Sequence, residues 1–189
     1  NMLTDNLEGD YQALLVAPNS LKSQLLALIQ EQIDRGPEGY LCFKVNSVTE
    51  REIIDKLQEA SQAGVTVEMI VRGICCLRPG VLHRTERVRV TSIVGRYLEH
   101  ARIYAFGRGE EAKYYIASAD LMTRNLQRRV EIACPIRDKQ IREQLRYLLD
   151  VQLQDNAKAS FLQPSGAYLR KEAGRLPRLD SQQAFMETS

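Results

Sequence analysis

The chain has two histidines in 189 residues, and His100 has the richer surroundings. It lies in Tyr97-Leu-Glu-His-Ala-Arg-Ile-Tyr104, with Arg102 two residues on. On a strand the two side chains share a face, because successive residues alternate sides. A group that exchanges a proton near neutral pH then lies beside a fixed cation, which suits the handling of a phosphoryl group. The plainer reading of His100 is a half-buried histidine bonded to Glu99 or Glu131. Arg72 closes an apolar run, residues 65–71, so its stem lies among hydrophobes and its head at the strand end. It either pairs with an acidic side chain or offers its planar fork to phosphate. A third cluster contains Ser118, Asp120, Arg124, Asn125, Arg128, Arg129 and Glu131. If Arg129 opens a strand, Arg129 and Glu131 face one way while Val130 and Ile132 face the core. Arg128 then points to the other side, as a surface charge. His83, in the polar stretch Leu82-His-Arg-Thr-Glu86, has no such pattern around it and reads as a loop residue.

The elements that must position these groups follow from periodicity. Residues 13–17 form a short apolar strand ended by Pro18, and Asn19 or Ser20 can cap the helix that follows. Leu21, Leu25, Leu28, Ile29 and Ile33 give that helix its apolar stripe, and Gly36-Pro37 ends it. Residues 40–45 are a second strand. Thr49-Glu-Arg-Glu52 has capping-box form, with Ile53, Ile54, Leu57 and Ala60 on the inward face and Gly64 at the helix end. Residues 65–71 complete a βαβαβ pattern, which predicts a parallel sheet covered by helices. Arg72 then falls at the carboxyl end of a strand, where open α/β sheets bind ligands. Further strands are expected over 88–94, 103–106, 113–117 and 129–135, with Val130, Ile132 and Cys134 inward. Ile141, Leu145, Leu148, Leu149 and Leu153 mark a last amphipathic helix. The pattern weakens after Asn156.

Composition narrows the function classes. A length of 189 residues suits one sizeable domain. A net charge of +2 does not imply wholesale nucleic-acid binding, so no nucleic-acid partner is expected and any anion site must come from local arginines. The four cysteines, Cys42, Cys75, Cys76 and Cys134, lack the spacing of a zinc site and read as free, mostly buried thiols. No metal ligand set is visible. No apolar run reaches the roughly 20 residues of a membrane span, and the polar N-terminus is unlike a signal peptide, so a cytoplasmic location is expected. Neither glycine-rich nucleotide fingerprint is present.

Several stretches together resemble the C-terminal domain of the long, histidine-phosphorylated type of polyphosphate kinase. They are Leu14-Leu-Val-Ala-Pro18, Lys44-Val-Asn-Ser47, Ala60-Ser-Gln-Ala-Gly64 and Ile70-Val-Arg-Gly-Ile-Cys-Cys-Leu-Arg-Pro-Gly80. Ser92-Ile-Val-Gly-Arg-Tyr-Leu-Glu-His-Ala-Arg-Ile103, Ser118-Ala-Asp120, Arg124-Asn-Leu126 and Arg129-Val-Glu131 follow. The resemblance implies an α/β, phospholipase D-like domain with a mixed, largely parallel sheet flanked by helices. It covers the domain (13–170) and leaves a lead-in (1–12) and a tail (171–189), which is expected from its content of charge, Gln and Ser to be mobile. It implies reversible transfer of the ATP γ-phosphate to polyphosphate, with the phosphorylated histidine on a preceding domain. Within it, His100 is implied as catalytic, Arg72, His100 and Arg129 as ATP- and phosphate-binding, and Arg102, Ser118, Asp120 and Asn125 as secondary candidates.

The implied substrates are ATP or ADP, with Mg²⁺, and inorganic polyphosphate. The implied partner is the preceding domain of the same chain, and the full-length form is expected to be a homo-oligomer. Ala117, where the family usually has Gly or Ser, and Leu121, where it has tryptophan, depart from the pattern and bear on packing more than chemistry. Residues 81–87 differ somewhat as well. With one of two facing histidines, the isolated domain is expected to be inactive. Other readings are a non-catalytic phosphate-binding module, a docking surface for a larger chain, and a half-size nuclease that completes its site by homodimerisation. The last wants a lysine at Arg102 and an aspartate at Gly107.

Overall fold

The computed structural model describes residues 15–16, 21–93, 102–123, 126, 132–155, 159–171 and 180. Its elements are β1 (Leu15–Val16), α1 (Leu21–Asp34), β2 (Tyr40–Val45), α2 (Arg51–Gln62), β3 (Thr66–Val71), β4 (Val88–Ile93), β5 (Arg102–Phe106), β6 (Lys113–Ala117), β7 (Ile132–Ile136), α3 (Lys139–Gln154), β8 (Ala159–Leu162) and β9 (Tyr168–Arg170). The nine strands form one sheet in the order β1-β7-β6-β5-β2-β3-β4-β8-β9.

Alternation along the strands divides the core in two. On one face Leu41, Phe43, Val45, Val67, Met69, Tyr104 and Phe106 pack under α1 and α2, through Leu25, Ile29, Ile53 and Leu57. Phe43 sits edge-on to Tyr104 and Phe106, at centroid distances of 5.0 and 5.2 Å, a favoured aromatic geometry. On the other face Tyr40, Cys42, Ile70, Ile103, Ala105 and Tyr114 meet Leu145 and Leu149 of α3. β2 is therefore buried on both sides along its whole length.

The sheet is mixed, but parallel pairing is confined to β2–β3 and β3–β4; the other strand pairings are antiparallel. The expectation of a largely parallel sheet thus holds only at the centre. β5 and β6 are joined by a turn through Gly107 and Gly109 (φ 89° and 70°), too short for the crossover that parallel pairing requires. β1 is not beside β2. It lies at the far edge, antiparallel to β7.

Several local expectations also change. The cap of α2 is Glu50, whose carboxylate accepts the Ile53 N–H at 2.9 Å, and not Thr49. The Thr49 and Glu50 amides both donate to the Leu121 carbonyl, and Glu52 pairs with Lys22 instead of closing a box. In β7 the inward residue is Ala133, while Ile132 is 43% exposed and Cys134 is exposed. β7 lies one strand from the sheet edge, and its side chains facing away from α1 and α2 are incompletely covered. Cys76 is exposed too, so only Cys42 and Cys75 are buried thiols. Ile141, in the first turn of α3, is also exposed. The weak pattern after Asn156 conceals β8 and β9, two short strands whose few inward residues carry little periodic signal.

Lys171, just after β9, donates to the Leu153 carbonyl at 2.6 Å and lies 4.3 Å from the centre of the Phe161 ring. Burial, reinforced by Arg89, pushes its ammonium down to about 8 from the ordinary 10.5, against the pull of Asp155 and Glu68. The unfolded chain therefore holds more protons than the folded one between those values, and this group's contribution to stability rises with pH across that window. Lys171→Met is expected to remove that rise. Wild-type and variant thermal midpoints compared from pH 7.5 to about 10.5 check it, and a difference that does not vary with pH rejects it.

Candidate functional site

The register brings distant sequence segments to one edge of the sheet. Val45 at the end of β2 pairs with Val71 at the end of β3. β5 runs antiparallel to β2, with Lys44 opposite Ile103, so Arg102 begins at the edge where β2 ends. Arg102 pairs in turn with Ala117, and Ala117 with Ala133. Arg72 and Arg102 thus stand on the two strands flanking β2, about 10 Å apart at two strand spacings.

The loop after β2 binds this edge together. Val48 bridges to both Cys75 and Leu121. Its N–H donates to the Ile74 carbonyl at 2.8 Å, and its own carbonyl accepts the Cys76 N–H at 2.8 Å. Gly73 N–H donates to the Asn46 carbonyl at 2.6 Å. A Cβ at position 73 would lie 2.8 Å from that oxygen and 2.9 Å from Ser47 Oγ, so only glycine lets the backbone approach so closely. Leu121 is fully buried between these loops, and Ala117 packs into the same core.

The predicted site residues fall into three groups. Arg72 is exposed, and its backbone N–H is bonded to Val45. Among the described residues its guanidinium has no ion pair or hydrogen bond, which leaves the fork presented to solvent. Arg102, Asp120 and Ser118 are engaged in the structure itself. Arg102 Nε and Nη2 donate to the two carboxylate oxygens of Asp120, each at 3.2 Å. Asp120 is 6% exposed and also accepts the Asn46 N–H at 2.8 Å. Ser118 Oγ accepts the Ile132 N–H at 3.1 Å and donates to the Ile132 carbonyl, which fixes the β6–β7 register. His100, Arg129 and Asn125, with Arg124, Arg128 and Glu131, lie outside the described residues.

Nearby ionisable groups are tuned by burial. The Tyr104 hydroxyl donates to the Ala119 carbonyl at 2.7 Å, and burial, with the Asp120 charge, holds it well above its ordinary value. Burial pushes the Cys75 thiol up to about 11, so it is a packing group rather than a nucleophile. Sequence reasoning missed Asn46 and Gly73, which act through the backbone. Their only signal was membership of the stretches 44–47 and 70–80. Cavities of about 600 and 620 Å³ lie at the other end of the strands, lined by Thr66, Val88 and Arg87 in one and Tyr114, Arg142 and Arg146 in the other. His83 sits at that end as well, exposed, at φ 62°, with Nδ1 3.9 Å from Glu86.

Residues 14–182 match the family described as polyphosphate kinase C-terminal domain 2. The chain belongs to that family. The chain is 44% identical to a polyphosphate kinase from Synechocystis over 98% of its own length, and 46% identical to one from Bacillus cereus over 91%. It covers 26% and 25% of those two proteins, about a quarter of each. The crystal structure of polyphosphate kinase from Porphyromonas gingivalis superposes with a TM-score of 0.87 at 37% identity, over 93% of this chain and 27% of that one. Nuc, a phospholipase D family member from Salmonella typhimurium, shares the fold alone, with a TM-score of 0.58 and 13% identity over 83% of this chain and 96% of its own. This polyphosphate kinase domain is therefore α/β and phospholipase D-like.

Proposed function

We propose that this domain works as the C-terminal catalytic part of an ATP–polyphosphate phosphotransferase. The observation that carries the reading is Arg72: a strand-end guanidinium, unpaired among the described residues, in a chain matched to the family over 14–182. In the reaction the bond between the γ-phosphorus and the β,γ-bridging oxygen of ATP breaks, and a nitrogen–phosphorus bond forms on a histidine of the preceding domain. That bond then breaks as a terminal oxygen of polyphosphate takes the phosphoryl group. His100 protonates or contacts the phosphate oxygens, while Arg72 and Arg129 neutralise charge. Phosphoryl transfer depends mostly on such positioning and charge stabilisation.

Mg²⁺ enters with ATP as part of the substrate. Asp120 already has both oxygens engaged, and the described residues contain no group of three or more His, Cys, Asp or Glu that could hold a metal ion. No helix among the described residues is long and apolar enough to cross a membrane. The reading places the full-length enzyme in the cytoplasm, as a homo-oligomer. A nuclease reading is weaker, because the Arg102 charge is taken up by Asp120 and Gly107 turns the chain after β5 where that chemistry needs an acid.

Arg72→Ala in the full-length enzyme is expected to raise KM for ATP about 10- to 100-fold, the worth of a charged hydrogen bond. Arg72→Lys is expected to recover only part of it, since a point charge cannot reproduce the fork. Steady-state kinetics of polyphosphate synthesis check this, and an unchanged KM for both variants rejects the reading.

A further inference from the structure

We propose that Arg102 and Asp120 form a positioning clamp for the reaction and do not bind substrate. Residues of these types at a phosphoryl-transfer edge would ordinarily be counted as a phosphate ligand and an acid or metal ligand. Here the guanidinium fork is spent on both oxygens of one buried carboxylate. That arrangement is strong and directional.

The clamp joins three segments that are remote in sequence. Arg102 opens β5, two residues after His100. Asp120 lies in the loop after β6. The Asn46 N–H, just past β2, donates to Asp120 Oδ1 at 2.8 Å. Asn46 then accepts the Gly73 N–H at 2.6 Å through its own carbonyl, and Gly73 is the residue after Arg72. A continuous polar path therefore runs from Arg102 through Asp120 and Asn46 to Gly73. It sets the spacing between the strand that leads from His100 and the strand that carries Arg72. Tyr104 supports it from below through the Ala119 carbonyl, next to Asp120. A reaction that depends on placing a histidine and an arginine on one triphosphate is sensitive to that spacing, because a misplacement of about 1 Å can cost about 10²-fold in rate.

The inference rests on the proposed phosphotransferase reading, and its test separates the two. In the full-length enzyme, Asp120→Asn keeps the shape and an acceptor for Asn46 but removes the charge that holds Arg102. It is expected to lower kcat for polyphosphate synthesis about 10²-fold, with KM for ATP near the wild-type value, as for loss of a contact that matters only in the transition state. Arg102→Gln is expected to do the same, and the double variant to be no worse than either single one, because both break one unit. Amide hydrogen exchange over residues 102–106 is expected to quicken in all three. Where Asp120→Asn fails to fold, Arg102→Lys, which keeps the charge and loses the fork, is expected to show the same fall in kcat and the same faster exchange. A raised KM at unchanged kcat would mean that Arg102 binds substrate, and an unchanged kcat would mean that the pair is structural only; either overturns the clamp. If the wild-type enzyme makes no polyphosphate, the phosphotransferase reading falls. Exchange over 102–106 then decides the clamp by itself: faster exchange in the variants supports it, and unchanged exchange overturns it.

Discussion

Replacing His100 by alanine in the full-length enzyme is expected to lower polyphosphate synthesis about 10²- to 10⁴-fold, the usual worth of a positioned general acid or base. The alternative role for this residue, a histidine held by a neighbouring carboxylate, predicts a different result: lower stability with turnover close to normal. The two are separated by measuring kcat together with the thermal midpoint. A large loss of kcat at an unchanged midpoint supports the catalytic role, and near-normal turnover rejects it. The Asp120→Asn variant should retain the His100 side chain and lose rate through its placement alone, so the His100→Ala deficit is expected to be the larger of the two.

The isolated chain is expected neither to label itself from γ-labelled ATP with Mg²⁺ nor to make polyphosphate. The proposed transfer through a phosphohistidine needs a second histidine facing His100, and the chain has only His83 besides His100. His83 cannot take the second role. It precedes β4, at the opposite end of the parallel strands from Arg72, exposed and at a positive φ of 62°. β4 has six residues, which at the usual rise puts about 20 Å between the two ends. Label retained on His100 after denaturation would overturn this expectation. Restored synthesis when the preceding part of the full-length chain is supplied separately would support it and show that the missing half of the site lies there.

Much of the fold was legible in the sequence because its signals are local. The stripe of Leu21, Leu25, Leu28 and Ile29 needs only the helical period, and the structure buries all four against the sheet. The bounds of β2 and β6 follow from apolar runs cut off by glycine and polar residues. Arg72 was legible for the same reason: an apolar strand ends, and the next residue must emerge from the sheet. The family resemblance rested on short runs such as 70–80, whose glycine has a physical cause in the close approach of Asn46 and Ser47.

What local pattern could not decide was pairing. Nothing in Leu15–Val16 says that it lies against β7 and not β2. The alternation through Ile132 and Cys134 suggested the wrong inward phase for those two residues, because burial depends on which helix covers that part of the sheet. The capping box over 49–52 gave way to Glu50 because a carbonyl seventy residues on, that of Leu121, captured the Thr49 and Glu50 amides. The sharpest case is the site itself. By its sequence, Arg102 was a free cation beside His100 and Asp120 an acid of unspecified use. Tertiary structure placed them 3.2 Å apart and left Arg72 as a guanidinium without a partner among the described residues. Residue type and spacing determine which groups can do chemistry. Which of them are consumed in holding the chain together is set by contacts between segments far apart in sequence, and only the folded sheet creates those.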